Sequence, residues 1–282
     1  MSDIQLRFNK DKLVLSRPIE YGLKKLFLDY NNLELINIFD LESLRQVYVL
    51  DKLAGFSVFV ANTKNIVYSN IQNKYKSSQI LELCSSSISL LNSIKVQHIL
   101  VEIGTPSFDI DSNSRQSLLK AKDEYVQLSR IYEDLREKKS TSFDGYLLSD
   151  IKSSTQLKCA LMGLRQVTSY PIFTKVDVDS AKILSENFES FVNEILDVAK
   201  EFEANVFGFS VNCDLNLIKQ LLNSFRNYPC PKLLEFKISD DVDINTFQQC
   251  VKTANKNNVQ FYRISGSITS KYSAILLSST LS

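Results

Sequence analysis

The chain has 282 residues, 44% hydrophobic and 23% charged, enough apolar material for a continuous core without disulfides or a structural metal. Lys and Arg total 33 against 32 Asp and Glu, a net charge of +1, so no basic surplus exists to neutralise a phosphate backbone and nucleic acid is excluded as an expected partner. The polar stretch over residues 1–12 has no secretory apolar core, and no later apolar run is long enough to cross a bilayer, so the expectation is a cytoplasmic chain with no membrane partner.

Runs rich in β-branched and aromatic residues alternate with longer segments of helical apolar spacing. The first strand is expected at residues 12–16. An irregular stretch to Asp40 follows, in which Pro18 and Gly22 are expected to interrupt a helix. From there the pattern is regular: helix 41–53, strand 57–62, helix 78–91, strand 98–104, helix 115–138, strand 145–150 and helix 155–167. Strand 171–177, helix 188–202, strand 206–212, helix 215–225, strand 233–239, helix 244–256, strand 260–265 and helix 271–281 complete it. The helix over 188–202 shows the stripe well, with Phe188, Phe191, Val192, Ile195, Leu196, Val198 and Ala199 on one face. Eight nearly continuous apolar strands, each followed by an amphipathic helix, predict an α/β fold of the (β/α)₈ TIM-barrel type in a single domain over 1–282. An open doubly wound sheet is the runner-up.

Several chemistries have no foothold. Seven glycines include no dinucleotide or P-loop pattern, and five cysteines include no closely spaced pair. The single histidine, His98, sits in a strand run and reads as a buried strand residue. Barrel enzymes carry their reactive groups at the C-terminal strand ends, which here read Ser16-Arg17, Asn62-Thr63, Gly104-Thr105, Ser149-Asp150, Asp177, Asn212-Cys213, Ser239-Asp240 and Ser265-Gly266. Asp150, Asp177 and Asp240 would suit a hard cation if they converged, against the plainer reading of capping or solvated carboxylates. The segment 109–113 departs from a calcium loop at Ser114 and Lys120.

Four segments, in order, resemble the homocysteine S-methyltransferase family. They are Leu53-Ala-Gly-Phe-Ser-Val-Phe-Val-Ala-Asn-Thr63, Val101-Glu-Ile-Gly-Thr-Pro106, Asp144-Gly-Tyr-Leu-Leu-Ser-Asp150 with Lys158, Ala160 and Leu161, and Gly208-Phe-Ser-Val-Asn-Cys213. The resemblance implies a barrel in which zinc, held by three cysteines, binds the homocysteine thiol as a thiolate for methyl transfer. Cys213 matches one ligand. The adjacent pair expected at strand eight is replaced by Tyr262-Arg-Ile-Ser-Gly266, and the acidic position of strand four by Ser149. The expectation is therefore a divergent, degenerate relative that is noncatalytic or binds a small molecule or a protein partner. Its pocket candidates are Asn62, Thr63, Ser149, Asp150, Asn212 and Arg263, with no catalytic residue assigned. No cofactor is expected, and zinc only if Cys230 and Cys250 replaced the lost ligands. The alternative is an active methyltransferase acting on homocysteine or another acceptor, either alone or completed by a partner subunit.

Overall fold

The computed structural model describes residues 3–26, 32–138, 141–178, 187–226, 228–266 and 270–280. Eight parallel strands lie side by side: β1 Leu13–Val14, β2 Val58–Ala61, β3 His98–Ile103, β4 Gly145–Ile151, β5 Ile172–Val178, β6 Val206–Asn212, β7 Lys232–Ile238 and β8 Val259–Gly266. Neighbours in sequence are neighbours in the sheet, β8 returns beside β1, and a parallel bridge from Leu15 to Val58 joins β1 to β2. The molecule is a single-domain (β/α)₈ barrel, as the eightfold alternation predicts.

The described helices are α1 Ile19–Lys25, α2 Ile36–Phe39, α3 Leu41–Ala54, α4 Tyr68–Ile71, α5 Ser77–Ser93, α6 Arg115–Glu137, α7 Ser154–Arg165, α8 Phe188–Glu201, α9 Leu215–Ser224, α10 Ile244–Lys256 and α11 Ser270–Thr280. Their ends follow from local chemistry. Asp40, Asp214 and Asp243 accept hydrogen bonds from the first-turn amides of α3, α9 and α10, and Gly55 at φ +100° ends α3 in the left-handed conformation. Among the described residues no helix is long and apolar enough to cross a membrane.

One expectation is corrected. Pro18 and Gly22 do not break the first helix: Pro18 precedes its first turn, where a missing N–H is harmless, and α1 runs through Gly22. Glycine is needed there for contact, because a Cβ at position 22 would lie 2.2 Å from the Val47 side chain of α3.

Two apolar layers hold the barrel. Helix stripes pack on the outer face of the sheet, while Leu13, Leu15, Val58, Val60, Leu100, Leu147, Phe173, Val206, Leu233 and Phe261 fill the interior. The 3₁₀ turn Asp3–Arg7 lies across the N-terminal end, inserting Ile4 and bringing Phe8 edge-on to Phe173 and Phe261 at 5.9 and 5.7 Å. His98 is fully buried at the start of β3, with the Asp3 and Asp144 carboxylates 3.9 and 3.8 Å from Nδ1.

Candidate functional site

Alternate residues of a strand face the same side, so the position two beyond each inner apolar residue also points into the barrel. There the chemistry changes: Leu100 is followed by Glu102, Leu147 by Ser149, Phe173 by Lys175, Leu233 by Glu235 and Phe261 by Arg263. These side chains form one connected floor. Arg263 grips Glu102 with both terminal nitrogens, at 2.8 and 3.1 Å, and donates from Nε to the Ser16 carbonyl at 3.2 Å. Ser149 donates to Glu102 at 2.6 Å. Lys175 donates to Glu235 at 2.7 Å, and Ser210 and Ser265 donate to its other oxygen at 3.1 and 2.8 Å. A 3.7 Å approach of Arg263 to Glu235 links the two pairs.

All four charged side chains of this floor are 6% exposed or less, so their ionised forms depend on one another. Burial alone would raise the Glu102 pKa. The charge and hydrogen bonds of Arg263, helped by Lys175 and Lys64, outweigh it and bring the value down to about 2. Glu235 is depressed likewise: burial opposes ionisation, and Lys175 and Arg263 overcome it. Burial disfavours the Arg263 cation, yet Glu102 and Glu235 more than compensate and hold it charged.

Above the floor lie two looser pairs. Lys64, just beyond β2, meets Asp150 at 2.9 Å, and Lys237 meets Asp177 at 3.5 Å. Asp150 sits at a β-bulge between Leu148 and Ile151 with φ +62°, a left-handed conformation that aspartate tolerates better than most residues and that turns its carboxylate toward Lys64. Floor and rim enclose a cavity of about 290 Å³ at the C-terminal mouth. Its described lining is electrically balanced, with Arg17, Lys64, Lys175, Lys237 and Arg263 against Glu20, Glu102, Asp150, Asp177 and Glu235.

The structure brings some of the strand-end candidates together and separates others. Asn62, Asp150 and Arg263 line the cavity, and Ser149 is buried against Glu102. Asn62 donates to the Leu33 carbonyl at 2.7 Å and to Asn37 at 3.0 Å, which ties the chain after α1 to the barrel. Thr63 bonds the backbone of Glu102, donating to its carbonyl at 2.8 Å and accepting from its amide at 3.0 Å, and does not line the cavity. Asn212 is exposed at the end of β6 and Cys213 is packed in the outer core with Cys250, so neither lines it. Parity accounts for Cys213, because Ser210 faces inward and Cys213, three residues on, falls on the opposite face, whereas Asn212 keeps the inward parity but is the exposed last residue of β6. Burial pushes the Cys213 thiol up, and Cys250 adds to the effect. Cys230 bonds the Ala204 carbonyl at 3.3 Å, next to the start of β6. Asp177 lines the cavity beside Lys237 whereas Asp240 does not line it, and among the described residues no group of three His, Cys, Asp or Glu is placed to hold a metal.

Reading only strand ends misses Glu102, Lys175 and Glu235, which lie inside the strands. Lys175 and Glu235 share their strands with other charges, Asp177 in one and Lys232 and Lys237 in the other, but a signal for Glu102 exists: it is the single charge in the apolar run Leu-Val-Glu102-Ile. Such a charge in a strand covered on both faces must meet a partner inside.

No family model and no curated protein matches the sequence. Solved structures do match in shape. The homocysteine methyltransferase MmuM from Escherichia coli superposes with a TM-score of 0.67 at 10% identity, over 96% of this chain and 97% of that one. SacUVDE gives 0.55 at 9% identity, over 95% and 97%. The multifunctional pyruvate carboxylase of Rhizobium etli gives 0.54 at 10% identity, over 93% of this chain but 22% of that one. At these identities the likeness is one of fold, a TIM barrel shared by enzymes of different chemistry.

Proposed function

We propose that the chain is a homocysteine S-methyltransferase-like barrel that binds a small molecule at its C-terminal mouth and lacks zinc-thiolate chemistry. The observation that carries this reading is the interlocked floor. At the strand-eight position where the resemblance calls for paired cysteines, Ser265 donates to Glu235 and Gly266 sits at φ +90°. A Cβ on Gly266 would come within 2.1 Å of the Ile238 carbonyl oxygen, so a cysteine there needs the backbone to move. Cys213 is turned toward the helix layer. Catalytic zinc requires about three convergent protein ligands, and these residues do not supply them.

The chemistry follows from that donor set. A free thiol with a pKa near ~8.5 is mostly protonated at neutral pH, and zinc is what makes it a thiolate in such enzymes. Arg263 is no substitute, because its fork is taken up by Glu102.

The test is zinc content and methionine formation from homocysteine, with S-methylmethionine, S-adenosylmethionine or methylfolate as donor. The purified protein is expected to hold far less than one zinc per chain and to form no methionine, and Cys213→Ala is expected to leave zinc content unchanged. Stoichiometric zinc lost in that variant, or sustained turnover, replaces this reading with the active methyltransferase.

A further inference from the structure

The floor of the cavity has no spare charge. Glu102, Glu235, Lys175 and Arg263 are matched within the protein, and Ser149, Ser210 and Ser265 take up further carboxylate positions. A ligand charge reaching the floor would disturb a balanced wall, since any floor group it pairs with must leave a buried partner. The rim is different. Lys237 and Asp177 stand 3.5 Å apart, longer than a charge-assisted hydrogen bond, and Asp177 Oδ1 is buried with no donor among the described residues. A buried acceptor without a donor is unfavourable, while Lys237, its side chain 37% exposed, has three ammonium donors to offer. A hydroxyl satisfies both at once, donating to Asp177 and accepting from Lys237. Lys64 and Asp150 present a second donor and acceptor on the side of the cavity formed by β2 and β4.

The remaining wall includes Ile19, Tyr21, Val60 and Ala61, residues whose apolar parts suit the C–H face of a small ring. At about 290 Å³ the space lies at the small end of ligand pockets. We infer that the mouth binds a neutral polyhydroxylated molecule of one ring, a monosaccharide or cyclic polyol, with one hydroxyl seated between Asp177 and Lys237. This rests on the small-molecule-binding reading above and names the class of ligand.

The experiment is calorimetry and ligand-observed NMR on the full chain with five probes: D-glucose, D-ribose, myo-inositol, L-methionine and inorganic phosphate. At least one of the three polyols is expected to bind saturably at one site, with affinity changing less than about twofold between about 0.05 and 0.5 M NaCl, since no net charge is screened. Asp177→Asn and Lys237→Met are each expected to weaken that binding by about tenfold or more, with near-ultraviolet circular dichroism unchanged. Lys237→Met keeps the test sound if the buried position fails to fold. The inference is overturned if none of the polyols binds, if methionine or phosphate binds at the mouth and no polyol displaces it, or if both variants bind as the parent does. Methionine formation tests the proposed function and polyol binding tests this inference, so either can fail alone.

Discussion

The lower and upper halves of the barrel interior are built from the same strands at the same inward positions, yet they follow opposite chemistry. Below, Leu100, Leu147, Phe173, Leu233 and Phe261 close on one another and on Phe8, and every contact removes apolar surface from water at about 25 cal/mol per Å². One inward step higher, Glu102, Lys175, Glu235 and Arg263 give up their hydration for each other. That exchange gains little net stability, because desolvation offsets much of the Coulomb attraction. The lower half therefore holds the barrel together, and the upper half defines a specific polar surface where strand ends meet the mouth.

Removing one floor charge sharpens the comparison most. Arg263→Met leaves Glu102 buried without its bidentate partner and is expected to lower unfolding free energy by about 3–5 kcal/mol in urea titration. Glu102→Leu combined with Arg263→Met carries the apolar pattern one step upward and is expected to be more stable than Arg263→Met alone. If the double variant loses as much as the two single changes added together, the two halves do not differ in the way described.

Acid gives the next largest effect. Glu102 titrates near its ordinary 4.5 in the unfolded chain and near 2 in the folded one, so the unfolded state takes up the proton first as pH falls. The stabilisation from this carboxylate is complete above about pH 4.5 and is lost between there and about pH 2, a contribution on the order of 3 kcal/mol. Glu235 shifts in the same direction for the same cause. Urea midpoints measured from pH 7 down to about 2.5 should fall in this window, and Glu102→Gln should flatten the fall. An equal slope in the variant would mean that the floor does not govern acid stability.

How much of this was legible depends on whether a residue's neighbours or its alternation decide its role. Helix α10 and strand β6 match their predicted ranges residue for residue, because the period of apolar residues and the flanking Asp243 and Asp214 are local signals. The first unit was harder: β1 has two residues and its register comes from β8 and from Ser57 and Val58 across the closure, which no local pattern encodes. At the site, position relative to the strand end selected Asn62, Asp150 and Arg263 but also Asn212 and Cys213. Counting inward parity from the apolar floor sets Cys213 aside and reaches Glu102, Lys175 and Glu235, but it keeps Asn212 and drops Asp150, which lines the mouth at the bulge between Leu148 and Ile151. The pairing itself joins residues up to 161 positions apart and is visible only in the closed barrel.

The smallest effect is expected at the rim, where Lys64 meets Asp150. Both side chains are about one-third exposed, at 36% and 35%, against 2% and 6% for Arg263 and Glu102. Burial weakens the Lys64 cation, and the charges of Glu102 and Asp150 strengthen it beyond that loss, so the ammonium stays charged. Water reaches the pair, however, and screens most of what geometry alone would grant it. Lys64→Met is therefore expected to change unfolding free energy by less than about 1 kcal/mol, with an unchanged urea m-value. Asp150 keeps its left-handed backbone in that variant, because the bulge against β5 imposes it. A loss as large as that of Arg263→Met would place the rim in the same energetic class as the floor and erase the boundary drawn between them.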